Sequence, residues 1–247
     1  MKSGPEAAPA LTPEWFHTTR WTTVLRAGRD ASREDHAALE RLCRDCWGPV
    51  YFFIRRLGQN EHDARDLTQG FFAHFLEHGY LRAADPRRGR FRSFLLASVK
   101  HFLAHDWEKA RRFKRGGAVT FVSWDELGED ADALEAAEAA TPEESYDRRW
   151  ALSLLQRALT RLSNEFERAG KARQFASLKK FLSCEARAGD YDAVAAETGM
   201  TVRAVTVAVS RLRQRFAELA REEVANTVEN PDDVEEELRY LVRLAGA

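Results

Sequence analysis

Cysteine is scarce in this chain: Cys43, Cys46 and Cys184 are the three among 247 residues. Three thiols do not make a disulfide framework and suit a reducing compartment. Long apolar runs are missing too. No stretch approaches the ~20 apolar residues of a membrane-spanning helix, and the opening MKSGPEAAPALTPEW has no apolar core of signal-peptide length. A soluble, cytoplasmic protein without a membrane partner is the expectation. Glycine-rich phosphate loops and nucleophile elbows are absent, so neither an enzyme nor a cofactor is expected. No convincing run of strands and no internal repeat is visible.

Net charge is nearly absent, at −1, but the charges are segregated. From Arg87 to Arg115 there are 10 Lys/Arg and 2 Asp/Glu, a local +8. From Ser123 to Asp147 there are 10 acids and no base, and from Glu222 to Arg239 there are 8 acids and one base. Blocks of opposite sign say more about partners than their total does.

Hydrophobic residues make up 44% of the chain, enough for a real core, and they recur at helical spacing. Leu39, Leu42, Cys43 and Cys46 form one stripe; after the Gly48-Pro49 punctuation, Val50, Phe53, Ile54 and Leu57 form another. Leu67, Phe71, Phe72, Phe75 and Leu76 follow, with Asn60 as the expected cap and Gly79 as the expected stop. A further helix is expected from about Phe91 to Arg112, then a short strand or extended piece in VTFVSWDEL. Leu152, Leu155, Leu159 and Leu162, then Phe175, Leu178 and Leu182, begin a second helical block. The expected fold is all-α: two small helical domains joined by an acidic linker, the second with a helix-turn-helix. The expected boundaries are a disordered 1–14, a first domain 15–117, a linker 118–146, a second domain 147–228 and an amphipathic extension 229–247.

The helix-turn-helix reading rests on YDAVAAETGMTVRAVTVAVSRLRQRF. Asp192 can cap a short helix, Ala195 is small where helices approach, Gly199 can take a positive φ, and Thr201 can cap the next helix. Val202, Val205, Val209, Leu212 and Phe216 form an apolar seam. Opposite it lie Arg203, Thr206, Val207, Ser210 and Gln214, flanked by Arg211, Arg213 and Arg215. An apolar back, a polar front for base edges and arginines for phosphates make a recognition helix. The plainer alternative is a helical hairpin with a solvated charged face, and a free-standing repressor would share the motif.

SFLLASVKHFLAHDWEKARRFKRGG, residues 93–117, mixes aromatics, histidines and cations at a helix end. Such a mixture suits a lipid surface, a metal or a nucleic acid. His101, His105 and Asp106 have metal-like helical spacing, and Cys43-x-x-Cys46 lies downstream of His36. Neither has an evident remaining ligand, so surface histidines and buried core cysteines are favoured over metal.

Several phrases together resemble the extracytoplasmic-function sigma factors of bacterial RNA polymerase. DARDLTQGFFAHFLE resembles the helix with which that family docks on the polymerase. DPRRGRFRSFLLASVKHFLAHDWEKARR resembles its promoter −10 reading and melting element, and the second block resembles its −35 reader. TTRWTTVL, RRWALSLLQRAL and VEEELRYL resemble recurring phrases of one subgroup. The chain carries Gly70 where the family commonly has Glu, Phe94 for the usual Trp, and Thr206 and Ala208 where Lys and Arg are frequent.

The resemblance implies core RNA polymerase (the β′ clamp helices and the β subunit) and promoter DNA as partners. An anti-sigma factor or other regulator is a further candidate. It implies that Asp66, Leu67, Gln69 and Phe72 face the clamp helices, with Asp63 on the same flank. For the −10 element, Arg111, Arg112, Lys114 and Arg115 are expected on phosphates, and Lys100, His101, His105 and Trp107 on bases or backbone. Phe94, Leu95, Val99, Phe102 and Leu103 are expected inside. Strand opening fits this composition, because an unstacked base needs an aromatic face and its phosphate a cation. The alternative reading is a stand-alone helix-turn-helix regulator; a third is a metal-dependent nuclease. The tail from Asn230 is expected to pack on the second domain, or else to cover the DNA reader.

Overall fold

The computed structural model describes residues 33–77, 85, 89–113 and 141–246. Of residues 33–36 and 107–113 it describes the backbone. The expected disorder of 1–14, the VTFVSWDEL strand, the Gly79 stop and the acidic run before Thr141 lie outside the described residues. What is described is helical with no strand: eight α-helices and two short 3-10 turns. The α-helices are α1 (Arg33–Arg56), α2 (Glu61–Glu77), α3 (Phe91–Phe113), α4 (Pro142–Arg168), α5 (Ala172–Leu178), α6 (Asp190–Thr198), α7 (Val202–Ala225) and α8 (Val234–Gly246).

The Gly48-Pro49 punctuation does not break its helix, because α1 runs through Pro49. An interior proline removes one backbone hydrogen bond and costs about 3 kcal/mol. Leu39, Leu42 and Cys46 before it, and Val50, Phe53 and Ile54 after it, are all buried. Each large apolar side chain contributes about 1.5–3 kcal/mol on burial, so a continuous stripe outweighs the lost bond. α2 starts as expected, with Asn60 Oδ1 accepting the Asp63 N–H at 2.9 Å. Phe91, Leu95, Val99 and Leu103 make the inward stripe of α3.

α4 is the central helix and packs against α1, α7 and α8. Thr141 caps it: its Oγ1 accepts the Glu144 N–H at 3.2 Å, while Glu144 Oε2 accepts the Thr141 N–H at 2.7 Å. Residues 142–146, assigned to the linker from sequence, are therefore its capped first turn. Tyr146 is fully buried, edge-on to Phe53 at 6.2 Å. Phe91 and Trp150 pack at 6.1 Å. The two sequence blocks thus share buried contacts along α1 and α4, and one buried cluster includes residues of both.

Where the blocks meet, Arg92 at the start of α3 joins two other elements. Its Nε donates to Glu237 of α8 at 2.7 Å, and its Nη1 donates to Asp147 of α4 at 2.5 Å. The guanidinium lies 4.7 Å from the Tyr240 ring centroid, and Tyr240 Oη donates to Asp147 at 2.7 Å. Tyr146 Oη donates to the Arg92 carbonyl at 3.0 Å, and the Phe91 N–H donates to the Thr227 carbonyl at 3.0 Å. Arg90 pairs with Glu236 at 2.8 Å and Glu237 at 3.0 Å. Burial works to lower the Arg92 pKa, but the hydrogen bonds and charges of Glu237 and Asp147 outweigh it and raise it. α8 is anchored here and by buried Leu238 and Leu241. The tail therefore packs on the helical body, as the first of its two expected roles required.

Arg92→Ala removes one of the two arginines paired with the Glu237 carboxylate, whose side chain is 1% exposed, and leaves only Arg90 against it. The expected destabilisation is about 3–5 kcal/mol, read as a fall in denaturation midpoint. Arg92→Met with Glu237→Gln recovers part of it, because the second change removes the buried and under-compensated charge.

Candidate nucleic-acid interface

α6 and α7 meet at a tight corner. Gly199 has φ 71°, the left-handed conformation expected of it, and Thr201 caps α7 by accepting the Ala204 N–H at 3.2 Å. Asp192 is not the cap of α6. The helix begins at Asp190, and Gly189, with φ 87°, precedes it. The Asp190 carboxylate instead accepts the Arg187 N–H at 2.7 Å and closes the turn before the helix. Val194 and Ala195 are buried beneath the corner.

On α7, Val205, Val209 and Leu212 are buried and Phe216 is half-buried, as the seam required. Val202 departs from the seam and is exposed, while Val205 in the same turn is fully buried. Arg203, Thr206, Val207, Ser210 and Arg211 all face solvent. Arg203 and Arg211 form no ion pair among the described residues.

Arg213 and Arg215, grouped with them from sequence, are held by the protein itself. Arg213 Nε donates to the Phe181 carbonyl at 2.8 Å and Nη2 to the Cys184 carbonyl at 3.1 Å. Arg215 makes a two-pronged contact with Glu165 of α4 at 3.0 and 2.8 Å and also reaches Glu218 at 3.0 Å. Those hydrogen bonds raise the Arg215 pKa, and the Arg215 hydrogen bond is the main cause of a lowered Glu165 pKa. The one local signal was Glu218, three residues after Arg215; the Glu165 partner and the two carbonyls that hold Arg213 lie on other elements.

On α3, Lys100 is half-exposed and pairs with Glu143 of α4 at 2.6 Å. That hydrogen bond is the leading reason the Glu143 carboxyl lies below its ordinary range. His101 and His105 are exposed one turn apart. Trp107, Arg111 and Arg112 belong to the α3 backbone, but their side chains lie outside the described residues, as do Lys114 and Arg115 entirely. Phe102 packs as expected, 5.8 Å from Phe71 and 5.5 Å from His74 between centroids.

The flank of α2 opens onto a groove of about 380 Å³ lined by Gln59, Asp63, Asp66, Leu67, Gly70, Phe102 and Asp106. It gathers three of the docking residues expected from sequence and adds Phe102 and Asp106 from α3, which no spacing within α2 could reveal. Three carboxylates around Leu67 and Phe102 favour a ligand with a cation and an apolar stem. Gln69 is exposed on the same helix. Phe72 is corrected: it is 7% exposed, stacked on Trp47 at 5.8 Å and 17°. It lies inside the α1–α2 contact, and Trp47, 37% exposed, is the aromatic that reaches solvent.

Cys46 is buried, and burial together with the neighbouring Cys46 pushes the Cys43 thiol up to about 12. A protonated thiol is a packing group rather than a ready metal ligand. Among the described residues, no three His, Cys, Asp or Glu side chains gather as metal ligands. Also among them, no helix is long and apolar enough to cross a membrane.

Arg213→Ala and Arg215→Ala are each expected to lower stability by up to ~1 kcal/mol, whereas Arg203→Ala and Arg211→Ala leave the melting temperature unchanged. The Glu165 contribution is present above pH ~4.5 and is lost as pH falls through its lowered pKa. NMR titration should show the Glu165 pKa rising in Arg215→Ala, since the Arg215 hydrogen bond is the largest cause of its lowering. Gly70→Ala removes a helix-interior glycine and places Cβ 3.5 Å from Phe102 Cζ, an ordinary contact. It is expected to stabilise by up to ~1 kcal/mol, measured by denaturant unfolding. Compared with known proteins, the chain matches no family model, no curated protein and no solved structure.

Proposed function

We propose that this chain is a promoter-specificity subunit of bacterial RNA polymerase, of the extracytoplasmic-function sigma type. The observation that carries the reading is α7. Behind a capped, glycine-turned corner it turns Arg203, Thr206, Val207, Ser210 and Arg211 outward over a buried seam. With α6 it forms the proposed helix-turn-helix, which enters the major groove at the −35 element. The exposed Lys100, His101 and His105 of α3 face the −10 element, and the basic residues that follow in the sequence supply phosphate contacts. The acidic groove on α2 receives the polymerase clamp helices through Asp63, Asp66 and Leu67. No catalytic step belongs to this chain; it positions DNA and captures opened bases.

A second reading, a DNA-binding regulator that works without polymerase, is favoured by one observation. The front of α7 is already open while the two blocks are packed together. The two readings separate on co-purification with core polymerase. On the first, Asp66→Arg is expected to abolish capture of bacterial core RNA polymerase while circular dichroism and melting stay as in the parent. Undiminished capture by the folded variant, or no capture by the parent, overturns it. Transcription by core enzyme on a promoter library then identifies the elements read.

A further inference from the structure

The centre of the α7 front has an unusual chemistry for a surface proposed to read base edges. Arg203, Thr206, Val207 and Ser210 recur at i, i+3, i+4 and i+7, so they form one outward stripe. Val207 is 43% exposed, and β-branched residues are poor helix formers, so helix propensity does not account for it. Thr206 Oγ1 donates to the Val202 carbonyl at 3.1 Å, which occupies its one hydroxyl proton. The middle of the stripe therefore presents methyl groups and no free side-chain donor. Pressed on a guanine or adenine edge, it leaves N7 desolvated and unbonded. Pressed on thymine, it meets the C5-methyl group, the one apolar feature of the major groove.

The cations around it are placed for the same purpose. Arg203 lies four residues before Val207 and Arg211 four after, a span of about 12 Å along the helix, comparable to the ~12 Å width of the major groove. Both are exposed, and neither forms an ion pair among the described residues, whereas Arg213 and Arg215 are hydrogen-bonded within the protein. We propose that Val207, aided by Thr206, is a specificity-determining residue that reads a thymine methyl group, while Arg203 and Arg211 hold the flanking backbone. This rests on the DNA-reading assignment above.

The test uses the full chain, alone and with bacterial core RNA polymerase, to enrich duplexes from a random library. Each thymine of the enriched site is then replaced singly by uracil, which removes the methyl and nothing else. At one thymine the replacement is expected to weaken binding about fourfold, the value of burying one methyl group. In Val207→Ala that dependence disappears, whereas Arg203→Ala weakens all sequences and keeps it. An enriched site with no methyl-dependent thymine, or with the same dependence in Val207→Ala, overturns the Val207 assignment and leaves DNA reading intact. Enrichment of no sequence under either condition overturns both.

Discussion

The Arg92 guanidinium ties together three stretches far apart in the chain: the start of α3, the first turns of α4 and the C-terminal helix α8. A buried cation is tolerated only when its charge and its N–H groups are matched. Glu237 and Asp147 match the charge, and the face of Tyr240 covers the guanidinium. The same geometry places Tyr146 between α1 and α3, where it is sealed by Phe53. The order of packing follows from it: α8 lies where it can bring Glu236 and Glu237 to Arg90 and Arg92, and α4 where it can bring Asp147. A hydrophobic core is not directional, whereas this ionic cluster is, and it selects one arrangement among the many that would bury leucines equally well.

The arginines of the second block illustrate how partners decide roles. Arg203, Arg211, Arg213 and Arg215 share one helix and one chemistry. Arg213 meets two backbone carbonyls at the end of the 3-10 turn, and Arg215 meets a carboxylate on α4. Arg157 and Arg161 extend the same lattice to Glu222 and Glu223. These pairs fix the pitch of α7 against α4. The first turns of α7 are left free of them, so a ligand approaching that end displaces water rather than breaking internal bonds.

The groove on α2 is bounded by a ring that crosses the helix at Gly70. Gly70 lets the Phe102 ring lie close over the helix, within ordinary contact of where a Cβ would stand. The ring closes the groove on one side, and Asp106, one turn further along α3, adds a third carboxylate. A longer side chain at position 70 has to pass around that ring. The residue at position 70 is thus coupled to the way α3 crosses α2.

Helices, their caps at Asn60 and Thr201, the corner at Gly199 and the apolar stripes of α3 and α7 were readable from periodicity and local chemistry, because each depends on neighbours within about one turn. So was the inward role of Phe102. The passage of α1 through Pro49, the capping of α6 and the placement of Phe72 were misread, since longer-range packing overrode a local signal. The local pattern does not reveal that the Arg92 charge is answered 145 residues away, or that Arg213 bonds the carbonyls of Phe181 and Cys184 and Arg215 the carboxylate of Glu165 while Arg203 and Arg211 stay unpaired among the described residues. Those outcomes depend on which charges become neighbours after the helices pack, and spacing along the chain does not set the distance between charges on different helices, on which their interaction depends.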